Sequence, residues 1–239
     1  MQKIVEKMSI NYSPNFNLKK RSVSRVKYLV FHYTGMKSEN GAIKRLTNKE
    51  SKVSCHYFIK RNGEIMKIVP DLYVAWHAGT SSWKKDKLLN TKSIGIEISN
   101  PGHQHGYKNF KKKQIESILL LSKMLKKKYK IKKENFLGHS DISPTRKKDP
   151  GEKFPWKLLS KNKLCTWHNL NKKRCKKLRK KKLENVDSFY KLLFKFGYEF
   201  TKNSSDKAKT YKNFQRRYRP ELISDIVDKE CYAILKSLI

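Results

Sequence analysis

The chain has 239 residues and carries 57 Lys and Arg against 20 Asp and Glu, a formal net charge of +37. That length supports one sizeable core plus a small accessory unit, and the grouping of its apolar residues, 37% of the chain, into clear runs excludes disorder throughout. No stretch approaches the ~18 apolar residues of a membrane span, and the polar start Met1-Gln2-Lys3-Ile4-Val5-Glu6-Lys7 holds no apolar signal core, so the chain as written is expected to remain cytoplasmic.

Residues 1–21 are polar and without periodicity, which predicts an extended arm. Val26 to Phe31 is a β-rich run that stops at His32, just before Thr34-Gly35, so the imidazole stands where a buried strand opens into a loop. A helix is expected through Gly41 to Leu46, then a hairpin in which Tyr57–Lys60 and Glu64–Val69 flank an Asn62-Gly63 turn. Ser93 to Ile98 is a further strand. Ile115, Ile118, Leu119, Leu121, Met124 and Leu125 fall at helical spacing with lysines opposite, which makes 111–129 an amphipathic helix covering one sheet face. Asn135 to Gly138 reads as a final strand delivering His139, and the breaks at Pro144 and Pro150-Gly151 predict a loop beyond that histidine.

From Asn171 to Lys182 nine of twelve residues are Lys or Arg and none is acidic, so 166–183 is expected to be a self-repelling, exposed linker. Beyond it Val186, Phe189, Tyr190, Leu193 and Phe196 form one helical stripe, and Val227, Cys231, Ile234, Leu235 and Leu238 another. A third helix near Asp206 to Tyr218 completes a unit over 184–239 that is marginal alone and should lean on the main domain. The fold class is therefore α/β: a mixed central β-sheet flanked by helices in 22–165, followed by a small three-helix unit.

The charge raises nucleic acid or an acidic polymer as a partner. Only ten of the 57 basic residues are Arg, the residue suited to bidentate phosphate and base recognition, and the lysines lie scattered on polar helix faces, so no specific nucleic-acid partner is expected. Four widely spaced cysteines, Cys55, Cys165, Cys175 and Cys231, give no disulfide framework, and Cys165, His168 and Cys175 lack a fourth ligand at a familiar metal spacing.

The stretch from Gly138 to Gly151 sets His139, Lys147 and Asp149 in a frame of Gly and Pro and reads as half a metal site, with His32 as the other half. Two imidazoles and one carboxylate leave a fourth position open, the arrangement of catalytic zinc, and imidazole disfavours magnesium or calcium. Glu97 follows Ile94, Gly95 and Ile96 in an apolar strand, where a carboxylate is costly unless a cation or water reaches it.

The segments Val30-Phe31-His32-Tyr33-Thr34-Gly35, Val53 to Ile59, Ala75-Trp76-His77-Ala78-Gly79, Ser93 to Ile98 and Gly138 to Gly151 occur in an order that closely resembles the zinc-dependent N-acetylmuramoyl-L-alanine amidases of the AmpD/AmiD type, the amidase-2 family related to peptidoglycan recognition proteins. The resemblance covers roughly 22–160. Leu192-Leu193 to Tyr198 and Phe214 to Pro220 resemble, more weakly, the small helical peptidoglycan-binding domain of AmiD-like members. It implies hydrolysis of the amide between N-acetylmuramic acid, or its anhydro form, and L-alanine in peptidoglycan or muropeptides. One Zn2+ per chain would be held by His32, His139 and Asp149. Glu97 would act as general base and Lys147, in preference to Lys148, would stabilise the oxyanion. His77 and Trp76 would line the substrate groove, while His56 would be a core or supporting histidine. Exported and lipid-anchored members make a periplasmic or envelope-associated location the alternative. The rival functions are a non-catalytic peptidoglycan-binding protein and a basic nucleic-acid binder. Because 184–239 holds no proposed catalytic group, a chain ending near Lys182 is expected to cleave small muropeptides while binding intact wall less well.

Overall fold

The computed structural model describes residues 8–239. Along the chain come β1 (Met8–Ile10), β2 (Phe16–Asn17), β3 (Tyr28–Tyr33), helix α1 (Glu39–Thr47), β4 (Tyr57–Ile59) and β5 (Ile65–Lys67). The short strands β6 (Val74–Ala75), β7 (Ser82–Trp83) and β8 (Asp86–Lys87) precede β9 (Ser93–Ile98), helix α2 (Lys112–Tyr129) and β10 (Phe136–Gly138). Helices α3 (His139–Ile142), α4 (Trp156–Lys161), α5 (Lys172–Arg179), α6 (Val186–Phe196), α7 (Ser204–Tyr218) and α8 (Lys229–Leu238) come last.

The main sheet has the order β1-β5-β4-β9-β3-β10. Strands β4, β9, β3 and β10 run parallel, β5 is antiparallel to β4, and β1 is parallel to β5, so the sheet is mixed as expected. Strands β3 and β9 are near-continuous apolar runs because helices cover both faces. Leu29 and Phe31 of β3 with Ile94, Ile96 and Ile98 of β9 point to the face covered by Ile118, Leu121 and Leu125 of α2. The alternation of strand side chains sends Tyr28, Val30 and His32, and likewise Ser93, Gly95 and Glu97, to the opposite face. There Val30 and Leu137 share one core with Phe189, Leu193, Phe214, Ile234 and Leu235 of the three C-terminal helices. The α/β class with a three-helix C-terminal unit holds.

Three expectations are corrected. The arm is not loose over its described part: β1 adds to the sheet edge in the register Met8↔Ile65 to Ile10↔Lys67, β2 pairs with β6, and Arg21 is buried with its guanidinium on the Asn90 and Asp71 carbonyls. Edge pairing uses backbone groups, which leave no side-chain period in the sequence. Residues 1–7 of that arm lie outside the described residues. The basic linker contains α5, capped by the Asn171 side chain, with Cys175 buried and Arg179 paired to Glu230 and Glu221. Distant acidic partners offset the local repulsion. The loop after His139 begins as the short helix α3. All four cysteines are free and buried, and no helix among the described residues is long and apolar enough to cross a membrane.

Candidate active site

Strands β9, β3 and β10 are adjacent and parallel, so their carboxyl ends open side by side, the usual position of a ligand site in such sheets. Glu97 and His32 are direct register partners near those ends, and His139 comes directly after the last residue of β10. The loop from α3 returns Asp149 to the same point, held by the Ser140 N–H donating to the Asp149 carbonyl at 2.8 Å.

Nδ1 of His32, Nδ1 of His139 and Oδ2 of Asp149 form a triangle with sides of 2.9, 3.0 and 3.0 Å. Among the described residues it is the group of three metal-type ligands that converges in this way, and all three are buried. The hydrogen bonds behind it assign the tautomers. Nε2 of His139 faces the Ala78 carbonyl at 3.2 Å, and a carbonyl only accepts, so Nε2 carries a proton; in the neutral ring Nδ1 then carries the lone pair. For His32 the assignment passes through two neighbours. The Ser93 hydroxyl donates to the Leu89 carbonyl at 2.6 Å, so it accepts from Nε2 of His77 at 3.2 Å. Nδ1 of His77 is then the acceptor for Nε2–H of His32 at 3.1 Å, and His32 too turns a bare Nδ1 to the triangle. Three lone-pair atoms with no proton between them repel at 3 Å unless a cation joins them. The donor set fits one zinc ion.

Burial, the neighbouring His139 and the Lys147 charge lower His32 to about 4, with Asp149 opposing them. Burial also pushes His77 well below the usual histidine range, helped by His32, His56 and His139, so both rings are neutral at pH 7. Asp149 feels burial pushing it up, but His139 and His32 outweigh that and hold it well below the usual carboxylate range. Glu97 is raised to about 8 by burial and by the Asp149 charge, against the pull of Lys147 and Arg45, and its Oε2 has no hydrogen-bond partner.

These groups line a cleft of about 440 Å³ that also takes in Trp76, Arg45 and Arg146. Of the sites expected from sequence, His32, His139, Asp149, Glu97 and Lys147 are brought together. Lys148 also borders the cleft but is more exposed, and the charge acting on both His32 and Glu97 is that of Lys147. Trp76 borders the cleft with its indole N–H donating to Asn17 Oδ1 at 2.6 Å. His77 borders the cleft as expected, and its ring also packs beneath His32, where a Cβ on Gly95 would collide with it, so it supports His32 from behind as well. His56 is fully buried below His77, accepting the Gly95 N–H on Nδ1 at 3.0 Å. Arg45 and Arg146, which border the same cleft, were missed. Arg146 stood inside the Gly138–Gly151 stretch and Arg45 in the expected helix Gly41 to Leu46, each without a chemical signature of its own.

Residues 22–152 match the Amidase_2 family, described as N-acetylmuramoyl-L-alanine amidase. The chain is also 33% identical over 231 residues to N-acetylmuramoyl-L-alanine amidase AmiD of Escherichia coli strain K12, covering 90% of this chain and 83% of AmiD. The chain belongs to the N-acetylmuramoyl-L-alanine amidase family. The amidase is 40% identical over 108 residues to 1,6-anhydro-N-acetylmuramyl-L-alanine amidase AmpD of Haemophilus influenzae, a match to 45% of this chain and 56% of AmpD. Among solved structures, E. coli AmiD in complex with anhydro-N-acetylmuramic acid-L-Ala-D-γ-Glu-L-Lys superposes with a TM-score of 0.80 at 31% identity, covering 93% of this chain and 91% of that one. AmpDh3 of Pseudomonas aeruginosa with an anhydromuramic pentapeptide also gives 0.80, at 28% identity over 94% of this chain and 95% of its own. The amidase is thus an enzyme that hydrolyses the amide between N-acetylmuramic acid and L-alanine in peptidoglycan or muropeptides.

Proposed function

We propose that the amidase works with one zinc ion held by Nδ1 of His32, Nδ1 of His139 and Oδ2 of Asp149. The observation that carries this reading is the pair of Nε2 contacts, His32 to His77 and His139 to Ala78, which leave both Nδ1 lone pairs aimed at the same carboxylate oxygen. Zinc bound there would polarise the lactyl carbonyl and acidify a water. Glu97, a carboxylate with a free oxygen beside the ligands, takes the proton of the attacking water and delivers it to the departing L-alanine amine. The Lys147 ammonium faces the charge that develops on the carbonyl oxygen. Trp76 offers an apolar wall to the sugar or peptide.

The relatives crystallised with anhydromuropeptides support the same substrate class here. The +37 charge favours the carboxylate-bearing peptide stems of the wall, and the exposed Phe194 and Phe200 pair, 5.6 Å between ring centroids, gives 184–239 a stacking face for wall binding. Mass spectrometry of products from anhydromuropeptides and from intact sacculi, run beside His139→Ala, tests the reading. Release of free peptide from anhydromuropeptide, with metal and activity lost together in the variant, is the expected result. A variant that keeps activity without metal would refute it.

A further inference from the structure

Lys147 and Asp149 sit on one loop, and the helical unit grips that loop through buried polar groups. Asn213, Arg216 and Arg217 occupy one face of α7 at helical spacing. Nδ2 of Asn213 donates to the Pro144 carbonyl and to the Lys147 carbonyl, both at 2.8 Å, which uses both amide hydrogens. Its Oδ1 accepts from Nη1 of Arg216 at 2.9 Å, which fixes the orientation of the amide. One turn on, Arg217 pairs with Asp141 and donates through Nη2 to the Phe136 carbonyl at 2.8 Å. The same Asp141 accepts the Gly138 N–H at 2.7 Å and the Tyr198 hydroxyl at 2.7 Å. The backbone is thus held before His139 at Phe136 and Gly138, and after it at Pro144 and Lys147. Asn213 and Arg217 are 1% and 3% exposed, so their donors have left water and would be costly without these partners. An appendage joined only to bind wall has no need to aim buried donors at the carbonyls of the catalytic loop.

We propose that α7 positions the loop bearing Asp149 and Lys147, with Asn213 and Arg217 as positioning residues for the hydrolysis. The proposal rests on the proposed roles of Lys147 and Asp149 in that reaction. A further link reaches the cleft rim: Arg216 lies 3.6 Å from Glu152, whose carboxylate meets Nε2 of His103 at 3.0 Å, and His103 borders the cleft.

The test uses the full-length zinc-loaded chain with Asn213→Asp, which keeps the shape but turns a donor into an acceptor facing two carbonyls. Steady-state kinetics on a soluble anhydromuropeptide should give kcat down roughly 10- to 100-fold with KM within about threefold, the signature of lost positioning rather than lost binding. In the metal-free protein the Arg146 and Lys147 amides should exchange hydrogen faster. Ile234→Ala, in the core of the helical unit and outside the hydrogen bonds that hold the loop, should lower the melting temperature yet leave kcat per folded molecule unchanged. If Asn213→Asp does not fold, Arg216→Gln frees the amide orientation more gently and should still lower kcat alone. Unchanged kcat and exchange, or an equal kcat loss in Ile234→Ala at equal loss of melting temperature, would overturn the proposal. Full activity in Lys147→Met would instead refute the oxyanion role and leave the exchange result standing.

Discussion

Nε2 of His32 lies 3.1 Å from Nδ1 of His77, and that contact decides which nitrogen of His32 is free for a metal. His77 reaches it because Ser93 and Gly95 put almost no side chain on that face of β9. His77→Leu fills a similar volume without an acceptor. Zinc affinity should fall about 10- to 100-fold, the usual effect of removing a ligand's hydrogen-bond partner, while the fold persists. Unaltered affinity in a competition titration would mean that the relay does not orient His32.

Glu97 gives a pH prediction. Its folded value of about 8 lies above the ordinary 4.5, so between those values the folded, metal-free protein holds a proton that the unfolded chain has released. Stability of the metal-free protein should therefore fall as pH rises from about 4.5 to about 8, and Glu97→Gln should remove that share of the slope. Adding zinc places positive charge beside the carboxylate and should move the window to lower pH. In catalysis Glu97→Ala should keep zinc but lose roughly 10²- to 10⁴-fold in turnover. Near-normal turnover would make Glu97 a structural carboxylate.

Lys147 and Lys148 separate by position and exposure. Lys147→Met should keep zinc and fold yet cost roughly 10²- to 10³-fold in turnover, about 3 to 4 kcal/mol, whereas exposed Lys148→Met should change little. The reverse pattern would show that Lys148 serves the oxyanion.

Truncation near Lys182 now carries the opposite expectation from the sequence. Removing the helices uncovers Val30, Leu137 and Ile142 and takes both Arg217 and Tyr198 away from Asp141; each large apolar side chain returned to water costs about 1.5–3 kcal/mol. The shortened chain should lose activity even on small soluble muropeptides and melt at lower temperature. Full activity with an unchanged melting temperature would argue that the catalytic part is self-sufficient.

The features legible in the sequence were those that leave a local trace. The apolar run ending at His32, the period of Ile118, Leu121 and Leu125, and the Gly and Pro frame around His139 and Asp149 each arise from short-range chemistry, and five ordered motifs joined them into one site. The contact of His77 with His32 was not legible, because it depends on the empty space over Gly95, a contact across two elements. The clamp was invisible for the same reason: Asn213 and Lys147 are far apart in the chain and meet through a backbone carbonyl, which has no residue identity. The arm over 8–17 and helix α5 were misread because edge pairing and the Arg179–Glu230 pair are long-range.

The metal is the centre of the account, and one measurement addresses it directly: zinc content by elemental mass spectrometry alongside muropeptide turnover, before chelation, after chelation and after zinc is returned. The account predicts about one zinc per chain, loss of turnover with the metal, and recovery with its return. Full turnover in a sample verified free of metal would contradict it.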